Sequence, residues 1–121
     1  MFLSFAARCL LFLLLWALIN STTHAHAVVT QASLKIAPIA PRTATPVSLI
    51  FNSNVEVALS QFHLVSAGDR MTPLTVTSGE KRGEVVVNIP ALEPGEYALR
   101  FKIFAADGHL TEDLIRFHVK E

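Results

Sequence analysis

The strongest constraint on this chain is a two-residue period in its hydrophobicity, carried in short runs and broken each time by turn residues. Successive side chains of an extended strand point to opposite faces, so this period means one face on a core and one in water. From Glu96 to Phe104, Tyr97, Leu99, Phe101 and Ile103 share one face while Arg100 and Lys102 share the other. Leu114 to Lys120 repeats the pattern, with Ile115, Phe117 and Val119 inward and Arg116, His118 and Lys120 outward. In Glu84 to Ile89 the inner row is Val85, Val87 and Ile89. Earlier strands are expected at Val28 to Leu34, Val47 to Phe51, Gln61 to Ser66 and Pro73 to Thr77. Pro38, Pro41, Pro46, Ala67-Gly68-Asp69, the 78–83 loop and Glu93-Pro94-Gly95 punctuate them. No window of ten residues in this part has a convincing helical period. Seven short strands with regular turns predict an all-β Greek-key sandwich or barrel.

The first 19 residues are of another kind. MFLSFAAR carries one positive charge at Arg8, CLLFLLLWALI is apolar, and NSTTHAHA is polar with small residues. These are the three zones of a secretory signal, with cut points after Ala25 or Ala27. The apolar run from Cys9 to Ile19 falls short of the ~20 residues that cross a bilayer. Removal would take away Cys9, Trp16 and Arg8, leaving nine of the ten basic residues against ten acidic ones. A mature chain without cysteine suits an oxidising compartment and needs no disulfide staple. Its near-neutral charge offers no basic patch for nucleic acid, and a single soluble domain over residues 26–121 is expected.

Two features could carry chemistry. Asp107-Gly108-His109 lies between the two clearest strands, and side chains two apart on an extended segment share a side. A carboxylate and an imidazole are acceptable ligands for a divalent metal, but as a pair they also fit a solvated turn. The second feature depends on processing. A cut after Ala25 makes His26 the first residue, whose α-amine and Nδ1 can close a chelate ring on one ion. With Asp107 and His109 this gives three nitrogens and one oxygen, a set that suits tetragonal Cu(II) before tetrahedral zinc. A cut after Ala27 would discard His26, and signal rules leave both cuts open. His63 and His118 alternate with apolar neighbours and belong on the wet face, and Glu56 reads as a solvated strand-end carboxylate.

The chain resembles the CopC/PcoC-type periplasmic copper-resistance proteins over essentially the whole length after the signal. The resemblance rests on AHAVV at Ala25 to Val29, on LIFNSNVE at Leu49 to Glu56, and most specifically on LEPGEYALRFKIFAADGH at Leu92 to His109. It implies a cupredoxin-like (Ig-like) Greek-key fold, a cut after Ala25, and one Cu(II) ion held by His26, Asp107 and His109. It also implies a periplasmic location, a role in copper carriage, homeostasis or resistance, and transfer to a CopD-type inner-membrane transporter.

This sequence departs from the family pattern in several places. Leu110 stands where proline usually follows the histidine, which leaves the orientation of His109 as the open geometric question. Phe101 stands where tryptophan is usual, the glycine after the turn is replaced within Thr111-Glu112-Asp113, and no proline appears near Ser33. Met71 alone remains where some members carry a methionine-rich loop, and one thioether cannot build a Cu(I) site, so a Cu(II)-only member is expected. Two rival readings are a copper-dependent oxidative enzyme built on the amino-terminal histidine and a metal-free β-sandwich interaction module. Against the enzyme stand the short chain, the loss of Trp16 with the signal and the inward-facing Tyr97, which leave no aromatic substrate platform. The expectation is therefore a carrier with no catalytic residues.

Overall fold

Alternating sequence becomes paired strands here because each inner row finds a second row to cover. The computed structural model describes residues 4, 6–9, 27–35 and 38–121. Two four-stranded antiparallel sheets face each other across one core. The strands are β1 (Val29–Ala32), β2 (Thr45–Phe51), β3 (Gln61–Ser66), β4 (Arg70–Pro73), β5 (Val76–Ser78), β6 (Glu84–Ile89), β7 (Gly95–Phe104) and β8 (Leu110–Val119). The first sheet runs β1-β2-β6-β5 and the second β4-β3-β7-β8. Strands far apart in sequence, β2 with β6 and β3 with β7, are neighbours, as a Greek-key sandwich requires.

Val47, Leu49 and Phe51 of β2 and Val85, Val87 and Ile89 of β6 line one side of the core. Phe62 and Leu64 of β3 and Leu99, Phe101 and Ile103 of β7 line the other. Burying one such side chain contributes roughly 1.5–3 kcal/mol, and the β6 and β7 rows are inner rows expected from the alternation. Phe101, at the position where the resemblance leads one to expect tryptophan, packs edge-on against Phe51 at 5.6 Å and beside Phe62 at 6.0 Å. Those two rings help to fill the centre of the core around it.

The described residues hold eight strands, not seven. The stretch expected as one strand from Pro73 to Thr77 is divided: β4 ends at Pro73 in the second sheet, and β5 begins at Val76 in the first. Proline has no N–H for a ladder, so this is where the chain can leave one sheet for the other. β8 begins at Leu110, four residues before the expected start. Its first half is polar (Thr111, Glu112, Asp113), which hides the strand from a hydrophobic period, yet it pairs in register with β7 from Phe104↔Leu110 onward. Ser33 and Leu34, expected as the end of the first strand, belong instead to a 3-10 turn, Ser33–Lys35.

One end of the sandwich collects the segments that matter for chemistry. The start of β1, the end of β2 and the β7–β8 turn all lie there, since Val29 pairs with Phe51, Phe104 with Leu110, and Val55 just after β2 bridges Ala105 just after β7. At the opposite end Arg42 joins the 41–43 turn to Glu93 and Glu121, and the Tyr97 hydroxyl donates to the Glu93 carbonyl at 2.7 Å. The expected signal segment lies largely outside the described residues, and His26 lies outside them too.

Candidate metal centre

Asp107 and His109 meet through a turn, not through the extended segment their spacing suggested. Gly108 has φ +89°, a left-handed conformation that glycine adopts without steric cost. A Cβ there would meet nothing within 4 Å, so the demand for glycine is conformational alone. The Gly108 N–H donates to the Ala105 carbonyl at 2.9 Å, and the Ala105 N–H donates to the His109 carbonyl at 2.9 Å. These bonds fold the tripeptide back on the end of β7.

Asp107 then holds His109 twice. Its Oδ1 accepts the His109 backbone N–H at 3.0 Å, and its Oδ2 lies 3.0 Å from His109 Nδ1. The backbone N–H is the largest influence and the ring contact the second, and together they keep the Asp107 carboxyl below the usual carboxylate range. Both side chains remain nearly half exposed, 43% for Asp107 and 46% for His109, so an ion from solvent could reach them. The orientation of His109 therefore does not need a proline at Leu110; Asp107 and the turn supply it.

A single loop connects this turn to the start of the described domain. Residues 52–56 follow β2 and cross toward the second sheet. The Asn54 carbonyl accepts the Ala106 N–H at 3.0 Å, the Glu56 N–H donates to the Phe104 carbonyl at 2.8 Å, and Val55 bridges Ala105. At its other end Asn52 grips Val28: Oδ1 accepts the Val28 N–H at 2.9 Å, and the Asn52 N–H donates to the Val28 carbonyl at 3.0 Å. Ala27, just before, is buried in the core cluster. Thus the chain immediately after residue 26 and the Asp107–His109 turn are tied to the same five residues.

The remaining candidates separate from this end. His118 sits opposite Glu96 on the outer face of the second sheet, 4.0 Å from its carboxylate, and His63 lies half-buried on the same face opposite Arg100. Met71 is exposed on β4, opposite Val65. Glu56 is exposed and meets the site through its backbone. Among the described residues no three His, Cys, Asp or Glu side chains converge on one point. The residue that sequence reasoning passed over is Asn52. A polar side chain directly after the inward Phe51 signals a strand end, but nothing local reveals that it reaches a residue 24 positions earlier.

A family model described as the CopC domain matches residues 29–120. Among solved structures, CopC from Methylosinus trichosporium OB3b aligns with a TM-score of 0.64 and 24% identity, covering 78% of this chain and 94% of that one. PcoC from Escherichia coli, titled a methionine-rich copper resistance protein, aligns with a TM-score of 0.59 and 22% identity, over 79% of this chain and 100% of its own. At those identities the structural likeness establishes the sandwich fold. A search of curated protein sequences gave no match.

Proposed function

The chain belongs to the CopC domain family, and from that premise we propose that it is a periplasmic carrier of one Cu(II) ion. Its mature form starts at His26 after removal of residues 1–25. The ligands are the His26 amine and imidazole, the His109 imidazole and the Asp107 carboxylate. Copper is cargo in this reading, taken up for storage or resistance and passed to a CopD-type inner-membrane transporter.

The observation that carries the reading is the Asp107–His109 pair. Metal–nitrogen and metal–oxygen bonds of about 2.1 Å place two donors roughly 3.0 Å apart at a right angle and about 3.4 Å apart at a tetrahedral one. Oδ2 and Nδ1 stand 3.0 Å apart. Both atoms are thus within reach of one ion, and the proposed donor set of three nitrogens and one oxygen suits the tetragonal preference of Cu(II) before the tetrahedral preference of zinc. A cation would there replace the proton shared by the two atoms. The burial of Ala27 supports the cut after Ala25, because a cut after Ala27 would strip a core residue. The single exposed Met71 offers no soft-ligand cluster, which supports a Cu(II)-only carrier.

Calorimetric titration of the exported protein with Cu(II) tests the proposal. One ion bound per chain is expected, far more tightly than by an isolated surface histidine. One extra residue ahead of His26 should abolish that tight phase by removing the α-amine from the chelate. Tight binding that survives the extension, or no tight binding at all, would overturn the ligand set. Affinity should also fall steeply below about pH 6, because the imidazoles and the amine must be neutral to bind.

A further inference from the structure

The ligands of the proposed centre come from two places some eighty residues apart in sequence, so something must fix one against the other. The Asp107–His109 turn is closed by its own bonds at Ala105 and Gly108. The amino-terminal arm is different. It precedes β1, an edge strand of four residues whose pairing with β2 is already irregular between Val29 and Gln31. Short edge strands fray readily. An arm held by β1 alone would deliver a chelating residue to no fixed place.

We infer that the Asn52 side chain is a positioning residue for the metal centre, fixing the amino-terminal arm beside the Asp107–His109 turn. The inference rests on the proposed site. Its geometry is independent of any ion: Asn52 clamps Val28 by a side-chain acceptor and a backbone donor, two residues from His26. The loop that begins at Asn52 reaches Ala106, one residue before Asp107, through the Asn54 carbonyl. Val28 and Ala106 are thereby tied to each other through the three residues from Asn52 to Asn54. Asn52 adds a side-chain acceptor to its backbone donor, whereas Asn54 acts through its main chain. A side chain that holds ligands in place without touching the ion contributes through preorganisation, and losing one typically weakens metal binding about 10- to 100-fold.

The test uses the exported protein recovered from cells expressing the full chain, with Asn52→Ala, Asn52→Asp and Asn54→Ala, and Cu(II) as the probe. Asn52→Ala should weaken Cu(II) about 10-fold or more, broaden or split the Cu(II) EPR signal, and speed hydrogen exchange at the Val28 amide in the metal-free protein. Asn52→Asp keeps the acceptor for the Val28 N–H and should restore the Val28 exchange rate, with Cu(II) affinity no weaker than the wild type's. Asn54→Ala should match the wild type, since its carbonyl is retained. Asn52→Ala with wild-type affinity and an unchanged EPR spectrum would overturn the inference. So would a loss shared equally by Asn52→Asp or Asn54→Ala, which would mark a general loop defect. If the wild type itself lacks tight Cu(II) binding, the site proposal fails. In that case the exchange rate at Val28 in Asn52→Ala still reads whether Asn52 fixes the arm, and an unchanged rate would sink that claim separately.

Discussion

At the scale of single residues, Asp107 has two separable duties. Oδ1 caps the His109 backbone N–H, and Oδ2 faces the ring. Asp107→Asn keeps an oxygen acceptor for the backbone while removing the charge that an ion would meet. Its melting temperature should stay close to that of the wild type, while Cu(II) affinity in a chelator-competition titration falls at least about 10-fold. An equal loss of stability and affinity would mean the carboxylate serves the turn alone. The identities of Asp107, Gly108 and His109 were legible in the sequence as a candidate site. Their manner of meeting was not, because a two-residue spacing suggests an extended segment and the turn depends on Gly108 at φ +89°. Asn52 was illegible for a different reason: its partner lies in another strand, and local pattern does not encode pairing across 24 residues.

Among the elements, strands with apolar inner rows were read with nearly correct limits, as β3, β6 and β7 illustrate. The early half of β8 was missed because Thr111 and Asp113 occupy inward register positions opposite Ile103 and Phe101 at the edge of the sheet. There the pairing, not the period, makes the strand. The division between β4 and β5 was missed because Pro73 and Val76 look continuous until their sheets are known. A further element-level dependence sits at Gly83, where β6 begins. Its φ is +73°, and a Cβ would lie 2.4 Å from the Phe51 carbonyl oxygen and 2.9 Å from that of Ser53. Its own carbonyl accepts the Phe51 N–H at 2.9 Å. Strain in this region costs of order 1–3 kcal/mol, and the backbone clash adds to it. Gly83→Ala should therefore lower the urea midpoint by an amount equivalent to about 2 kcal/mol or more, with Gly68→Ala, which meets no neighbour, the milder control. Equal effects at the two glycines would show that the close approach to Phe51 contributes nothing.

For the molecule as a whole, pH acts on the fold through its carboxylates. The Ser48 hydroxyl is the main influence that draws the Glu84 carboxyl below its ordinary value, and Arg100 does the same for Glu112. A group with a depressed folded pKa binds fewer protons folded than unfolded, so its stabilisation is complete above the unfolded value and fades as pH falls below it. Stability of the metal-free protein should hold down to about pH 4.3, the ordinary glutamate value, and decline under it. Urea melts at stepped pH would check this, with Glu84→Gln expected to flatten the decline. Protons also compete with Cu(II) for the nitrogen donors, so copper affinity should weaken as pH falls. The central claim, however, concerns how the chain begins. Native mass spectrometry of the exported, copper-exposed protein tests it most directly. The account predicts residues 26–121 carrying a single copper ion. A mass that begins at Val28, retains the leader, or carries no copper after desalting would contradict it.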